Sequence, residues 1–483
     1  MAYRYGDRYQ MDLMPQCIED YVAESNPVRA YDAFIEVLDL HQLGINIDPV
    51  KVGNSEYDPK SMLKLLVYGY SYGVKSSRKL ERECHHNIAF IWLMGGLKPD
   101  HKTIAEFRRR NKKILKGVLR QCAQLCIKLD LIAGNVLFVD GTKIRANAGR
   151  DQFHDQTYYE KLLISINGRI EQLLADCEST DQAESNSSSY IAMKEELSNK
   201  RNLKERVREA LVSFESDTRK RINKTDADCA LMHSIQGSHA SYNIQSVVDD
   251  KHGLIVHAEA VRDANEAKQF AKQINQANEL LEKPCQVACA DAGYSDVTEL
   301  EEIDQKDIKV IVPSQRQALH KAENPFGKNH FVYDRSQDCY ICPEGHRLLY
   351  SHTDKKKGGR LYRMEDKKFC HSCQHNGKCT KSERGRSVIR LRNEEVKLKL
   401  EAQYEEEESQ KIYARRKTRV EHPFGHIKRN LKTDAFHLRG IDGVQAETSL
   451  LGTCFNLARM ITIFGVGKLI GKLIGLNMLK VCY

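Results

Sequence analysis

Apolar residues return at helical spacing through the first quarter of the chain. Between positions 31 and 128, Ala33, Phe34, Val37 and Leu38, and then Met62, Leu63, Leu66, Val67 and Tyr70, recur every three or four residues, as in helices that bury one face. Asp58-Pro59 adds an N-cap followed by a proline in the first turn. The spacing predicts an all-α region over residues 1–130, built of short helices joined by tight turns. Such a layout suits a helix-turn-helix reader of DNA, with a plain helical bundle as the blander alternative.

The pattern changes at residue 135. Val136-Leu137-Phe138-Val139 is a short apolar run ending in Asp140-Gly141, which predicts a buried strand with a carboxylate at its C-terminal end. Residues 158–221 are rich in Glu, Lys, Arg and Leu, with apolar positions at Leu162, Ile166, Ile170, Leu173, Leu197, Val207 and Leu211 and a serine-rich middle at 185–189. This predicts an insert over 155–224, two antiparallel helices around a flexible tip. Strand signals at 242–248 and 254–258 flank the turn residues Asp249-Asp250-Lys251-His252-Gly253. Beyond them, 265–281 reads as a helix, 286–290 as a buried strand ending at Asp291, 297–303 as a helix and 308–312 as a strand. Without the insert the order is a three-stranded meander followed by parallel strands joined through helices. That order predicts an α/β fold with a ribonuclease-H-like mixed sheet over 131–460. The last segment, 461–483, is apolar but interrupted by Lys468, Lys472 and several glycines. It predicts a terminal packing helix, with a membrane-surface helix as the alternative and no span across a bilayer.

Composition changes the picture in three respects. A chain of 483 residues has room for two or three domains with a core that needs neither disulfides nor metal to fold. The net charge of +9 is modest, but basic residues bunch at Arg108-Arg109-Arg110 with Lys112 and Lys113, at Lys355-Lys356-Lys357, and over 411–419. Bunched positive charge suits a polyanion such as nucleic acid, although charge runs also serve as solvated faces. Fifteen cysteines and an N-terminus without an apolar leader point to a cytoplasmic protein whose cysteines are buried thiols or metal ligands.

The candidate chemistry lies in carboxylates. In-line attack on a phosphodiester is served by two divalent ions about 4 Å apart, and such ions take oxygen ligands. Asp140 and Asp291 each close an apolar run. If the two strands are neighbours in one parallel sheet, the carboxylates emerge side by side at the edge where ligands of open α/β sheets bind. Taken singly, either residue reads more simply as a turn or helix cap.

Four segments, in order, resemble the bacterial DDE insertion-sequence transposases: Pro99-Asp100-His101-Lys102-Thr103-Ile104-Ala105-Glu106-Phe107-Arg108, Val139-Asp140-Gly141-Thr142-Lys143, Ala290-Asp291-Ala292-Gly293-Tyr294, and Val420-Glu421-His422-Pro423-Phe424-Gly425-His426-Ile427-Lys428. The resemblance runs from about 58 to 459. It implies a catalytic triad of Asp140, Asp291 and Glu421 holding Mg2+ or Mn2+. Its last signature places a Lys seven positions after the glutamate, matching Lys428. It also places a Tyr and an Arg before it; Tyr413 and Arg416 stand one position further away than in the commonest form. Arg108, Arg109, Tyr413, Arg416, Arg419 and Lys428 are the candidate contacts to DNA phosphates. Pro423 implies that the helix either begins near Glu421 or kinks.

Between Asp291 and Glu421 lie Cys339, Cys342, Cys370, Cys373 and Cys379. Cys370 and Cys373 have the gap of a zinc knuckle, and Cys342 opens the turn Cys-Pro-Glu-Gly-His. The family carries its cysteines at Cys342, Cys370, Cys373 and Cys379, which implies a closed structural Zn2+ site in a zinc-ribbon-like insert over 325–385. Cys339 and His346 are substitutes, and unpaired thiols in a basic loop are the alternative. Cys122 and Cys126, four apart on an apolar helix face, read as core.

The resemblance thus implies metal-dependent cleavage at transposon ends and strand transfer into target DNA. The expected partners are double-stranded DNA, as terminal inverted repeats and target, and a second copy of the chain as a homodimer on that DNA. Two alternatives stand beside it: a ribonuclease-H-like nuclease that cuts without joining, and a non-catalytic DNA-binding protein descended from a transposase.

Overall fold

A computed structural model describes residues 17–45, 56–181, 188–216, 219–234, 237–318, 325–354 and 358–481. Lys355 to Lys357 and the serine-rich positions 185–187 lie outside the described residues. The chain forms two compact units, one of Met1–Ala133, Asp140–Ala264 and Arg419–Tyr483, the other of Gly134–Val139 and Asn265–Thr418.

The first unit begins with six helices: α1 (Pro27–Val37), α2 (Pro59–Ser71), α3 (Ser77–His86), α4 (Ile88–Leu93), α5 (His101–Arg110) and α6 (Lys112–Lys128). Their starts are written in the caps. Asn26 accepts from the Val28 amide at 3.0 Å, Asp58 from Ser61 at 2.9 Å and Asp100 from Thr103 at 2.6 Å, each satisfying an amide with no partner inside its helix. Met62, Leu63, Leu66, Val67 and Tyr70 of α2 are buried as their spacing predicts, and so are Cys122 and Cys126 of α6.

Strand β1 (Val136–Arg145) is longer than expected. It runs on through Asp140, so that residue lies within the strand and not at its end. Ile144, four residues beyond the carboxylate, is buried, and the strand lies between those of Gly237–Asp249 and Val287–Cys289 in its sheet. β2 (Phe153–His154) leads into the helical hairpin α7 (Gln156–Asp181) and α8 (Ser188–Ser216), and β3 (Ile222–Asn223) pairs antiparallel with β2 to close its base. Tyr159, Ile166, Ile170, Val207, Ala210 and Ile222 form the hairpin's own core, and Arg169 grips Glu196 through two bonds of 2.9 and 3.0 Å.

Next come β4 (Ala230–Ser234), β5 (Gly237–Asp249) and β6 (Ile255–Val261). β4 pairs with the first half of β5 and β6 with the second, both antiparallel. The turn between β5 and β6 needs Gly253, whose φ is +68°.

The second unit supplies the parallel part. Val136, Leu137 and Phe138 pair parallel with Val287, Ala288 and Cys289 of β7 (Val287–Cys289), which pairs parallel with β8 (Lys309–Ile311). Helix α9 (Phe270–Leu281) leads into β7, α10 (Val297–Asp304) connects β7 to β8, and α11 (Gln315–Ala318) follows. The expected order of elements from 265 to 312 is therefore found, and the fold is mixed α/β with several sheets.

The cysteine-rich segment folds as a five-stranded antiparallel sheet in the order β13-β12-β11-β10-β9. Its strands are β9 (Val332–Asp334), β10 (Cys339–Ile341), β11 (Arg347–Asp354), β12 (Gly359–Met364) and β13 (Ser387–Leu391), with helix α12 (Lys367–Ser372) before β13. Phe331, Tyr340, Leu348, Tyr362, Met364 and Val388 make its core. Helices α13 (Glu394–Glu405) and α14 (Glu407–Gly425) follow.

In the first unit, α14 runs into a π-helical turn at His426–Asn430, and then come α15 (Gly440–Phe464) and α16 (Val466–Val481). The C-terminal segment is a packing helix, with Leu469 and Leu473 fully buried. Among the described residues no helix is long and apolar enough to cross a membrane.

One polar group holds the five-stranded sheet at its β9–β10 turn. Asp338 accepts from the hydroxyls of Tyr333 (2.7 Å) and Tyr362 (2.6 Å) and pairs with Arg360 at 2.5 Å. These partners, Tyr362 foremost, hold its carboxyl below the usual range. A lowered folded-state pKa means that its stabilising contribution is complete above about pH 4 and is lost as pH falls below that. Asp338→Ala, which leaves the buried Tyr362 hydroxyl without its acceptor, is expected to cost about 1–3 kcal/mol at pH 7. The difference from wild type in denaturant melts is expected to shrink towards pH 3.

Candidate functional site

Each unit gathers a polar cluster around one expected aspartate. In the first, Asp140 is half-buried on β1. Two residues along the same face of the strand, the Thr142 hydroxyl accepts from Lys428 Nζ at 2.5 Å. Lys428 keeps solvent access, yet desolvation of its ammonium holds its pKa below the ordinary lysine range, with the Asp140 carboxylate pulling the other way.

Lys428 reaches this place because of how α14 ends. Pro423 lies inside the helix, which neither begins at Glu421 nor breaks there. The proline ring removes one backbone donor and crowds the carbonyl four residues back, and the helix widens just downstream. Leu431 N donates to His426 O at 3.0 Å, a five-residue step in place of four. On a regular α-helix Glu421 and Lys428, seven residues apart, would share a face, and the wider turn alters that register. Glu421 itself is exposed. Arg419, two residues earlier, donates to Asp250 Oδ1 in the β5–β6 turn at 3.2 Å.

In the second unit, Asp291 stands two residues beyond β7 and caps a 3-10 turn, its Oδ1 accepting from Gly293 N at 2.7 Å. Arg416 Nη2 lies 3.9 Å from Asp291 Oδ2, a long ion pair, and its guanidinium carbon sits 5.7 Å from the Tyr413 ring. Tyr413 in turn meets Tyr404 edge-on at 5.2 Å. A second carboxylate was missed in the sequence. A methyl group at Gly293 would lie 2.8 Å from Asp291 Oδ1 and 3.1 Å from Glu266 Oε2, so both acids crowd one face of that glycine. Glu266 sits just before α9, outside any strand-end pattern, and only the missing side chain at Gly293 hints at the close approach.

Arg108 departs from its expected role. It is 6% exposed, and its Nη1 donates to the Lys75 carbonyl at 2.7 Å. Its guanidinium works inside the fold, because α5 turns this residue inward with Ile104, four positions earlier. Arg109 is exposed but is held by Glu106 through bonds of 2.7 and 2.6 Å.

Cys342, Cys370, Cys373 and Cys379 border one cavity of about 30 Å3, together with His346 and His375. Backbone amides donate to three of the sulfurs: His346 N to Cys342 at 3.4 Å, His375 N to Cys373 at 3.4 Å and Arg386 N to Cys370 at 3.3 Å. Cys339 is buried in β10 and is not among the cavity's lining residues. Among the described residues no group of three His, Cys, Asp or Glu side chains is arranged to hold a metal ion.

Residues 341–461 match the family model described as a transposase DDE domain, and residues 16–110 match a transposase domain described as DUF772. Both matched segments are thus similar to transposase domains, residues 341–461 to a DDE domain. The DDE-domain match contains Glu421, Lys428 and the four cysteines of the cavity, whereas Asp140 and Asp291 lie between the two matched segments. No curated protein matches the sequence. Among solved structures, the cryo-EM structure of a piggyBac transposase synaptic complex with hairpin DNA aligns at 9% identity over 94% of this chain and 80% of that one, with a TM-score of 0.32.

The crowding at Gly293 offers a test that substitutes none of the acids. Gly293→Ala forces Asp291 or Glu266 aside, because a contact of 2.8 Å is too close for a methyl group. A displacement near 1 Å is expected to lower the rate of DNA cleavage by about ten- to a hundredfold. Thermal stability is expected to change little, and an unchanged cleavage rate would count against a role for this acidic face.

Proposed function

We propose that this protein is a transposase that cleaves DNA at the ends of its element and joins the freed 3'-hydroxyl to target DNA, using divalent metal ions held by Asp140, Asp291 and Glu421. The observation that carries this reading is the parallel pairing of Val136-Leu137-Phe138 with Val287-Ala288-Cys289. These are the residues that lead into Asp140 and Asp291, and in a ribonuclease-H-like sheet the residues that follow such neighbouring parallel runs serve one site.

The donor set suits the ions. It consists of carboxylate oxygens, two of them half-buried, and Mg2+ or Mn2+ prefers such ligands while keeping several waters. When bound, the ions supply an activated attacking oxygen and stabilise the leaving one. The chain's own contribution is to place the phosphate and hold the acids apart. Arg416 beside Asp291 and Lys428 beside Thr142 are cations whose charge offsets the carboxylates in the free protein and becomes available to backbone phosphates when DNA arrives. Tyr413 props Arg416 from its ring face. Arg419 serves the same end less directly, by tying α14 to Asp250. Arg109 can reach DNA only by leaving Glu106.

The working assembly in this reading is a homodimer on double-stranded DNA, holding terminal inverted repeats and target in the cytoplasm of a bacterial cell. In this reading Cys342, Cys370, Cys373 and Cys379, which border one cavity, would hold one structural Zn2+. Three sulfurs already accept backbone N–H bonds, and a set of four sulfurs leaves no position open for water. Such an ion would brace the insert and take no part in cleavage.

Two measurements test these assignments. With a linear duplex ending in the terminal repeats that flank its own gene, Asp140→Asn is expected to retain DNA affinity and to lose cleavage by a factor on the order of a hundred or more. Cleavage at the wild-type rate would refute the metal site, and cleavage without joined products in the wild type would favour a nuclease that does not join. For the insert, elemental analysis of protein purified under reducing conditions is expected to find about one zinc per chain, absent from a Cys370→Ser, Cys373→Ser double variant. Four freely alkylated thiols and no zinc in the wild type would remove this site.

A further inference from the structure

Among the ionisable side chains that the first unit buries and the reaction does not use are Lys75 at 3% exposure, Arg108 at 6% and Glu447 at 0%. Burying charge is expensive unless each group finds partners. Here the partners converge on one stretch of backbone. Glu447 Oε2, on α15, accepts from the amides of His437 (2.9 Å) and Leu438 (3.0 Å). Lys75 Nζ, between α2 and α3, donates to the Lys432 carbonyl at 3.2 Å and to the Thr433 hydroxyl. Arg108 Nη1 donates to the carbonyl of Lys75 and so holds the residue that holds the segment. The second oxygen of Glu447, Oε1, has no hydrogen-bond partner among the described residues and is answered by the charges of Lys75 and Arg108.

The clamped stretch, 432–438, follows the π-helical turn directly. Lys432 has a φ of +50°, a conformation that L residues other than Asn and Asp seldom adopt, and Lys75 binds its carbonyl. Gly73, itself at φ +72°, packs against Lys432 and Leu431 so closely that a methyl group there would meet the Lys432 side chain at 3.3 Å. The far end of the stretch is stitched to the exit of β1. Phe436 N donates to Arg145 O at 2.9 Å, and Asn147 Nδ2 donates to His437 O at 2.8 Å. The stretch is therefore held between the N-terminal helices, α15 and the strand that carries Asp140.

We propose that Lys75 and Glu447, with Arg108 behind them, are positioning residues: they clamp 432–438 so that the turn before it presents Lys428 to Thr142 and Asp140, and keep Glu421 in register with β1. The N-terminal helices thus serve the catalytic segment mechanically, as well as any DNA they contact. This inference rests on the transposase reading for its effect on cleavage, but not for its effect on the backbone.

The test uses the full chain and two variants. Lys75→Met removes the buried cation and keeps the volume; Thr433→Val removes one of its partners and is the milder change. Hydrogen–deuterium exchange over 426–438 is expected to accelerate about tenfold in Lys75→Met and less in Thr433→Val, with the rest of the first unit unchanged. With the duplex described above, kcat for cleavage is expected to fall about tenfold at unchanged KM, and Lys75→Arg is expected to restore part of it. Unchanged exchange over 426–438 in a folded variant would overturn the proposal. So would faster exchange across the whole unit with affinity and rate falling together, the signature of a purely structural role. If wild-type protein fails to cleave the duplex, the transposase chemistry is what fails, and the exchange result still decides the clamp.

Discussion

The arrangement of this protein depends on a short stretch of parallel pairing, Val136-Leu137-Phe138 against Val287-Ala288-Cys289. About 150 residues separate the two runs in the chain, so the contact is costly to close. Burial offsets that cost. Leu137, Phe138, Ala288 and Cys289 are all fully buried, as parallel strands covered on both faces require. Each run leads within two residues to an aspartate. The helical hairpin between them keeps a core of its own and is closed at its base by β2 and β3, so that so large an insertion leaves the strand beside it intact.

The glutamate is supported differently. Glu421 stands on a helix with no sheet to hold it, and Pro423 weakens that helix two residues later. The widened turn at His426–Asn430 absorbs the proline and redirects Lys428 to Thr142. A widened turn is intrinsically less stable than the α-helix around it, and this explains why buried charges are gathered just downstream. Glu447, Lys75 and Arg108 spend their charge on the backbone of 432–438 and its support. In the second unit Arg416 balances Asp291. In both units a cation sits beside an expected aspartate, which lowers the repulsion among acids in the free protein.

The cysteine-rich insert shows how a small sheet is stabilised where apolar residues are few. Tyr333, Tyr340 and Tyr362 pack ring against ring at 5.1 to 6.0 Å, Arg390 lies over Tyr333 at 3.8 Å, and Asp338 collects the hydroxyls of Tyr333 and Tyr362. The aromatic side forms one half of the core, and the cysteine cavity lies against the other.

Local pattern alone determined much. The starts of α1, α2 and α5 follow from Asn26, Asp58 and Asp100, because a cap is made by residues two or three apart. The apolar strands β1 and β7, the turn at Gly253 and the hairpin insert were legible for the same reason: their signals are short-range. Tertiary structure decided the rest. Arg108 and Arg109 are adjacent and chemically identical, and only the packing of α5 sends one inward to Lys75 while Glu106 holds the other at the surface. The extension of β1 past Asp140, the passage of α14 through Pro423 and the approach of Glu266 to Asp291 are likewise settled by neighbours far away in the chain. A sequence carries periodicity and caps; it does not carry which distant carbonyl a buried lysine will reach, and that contact sets the place of the segment after Glu421.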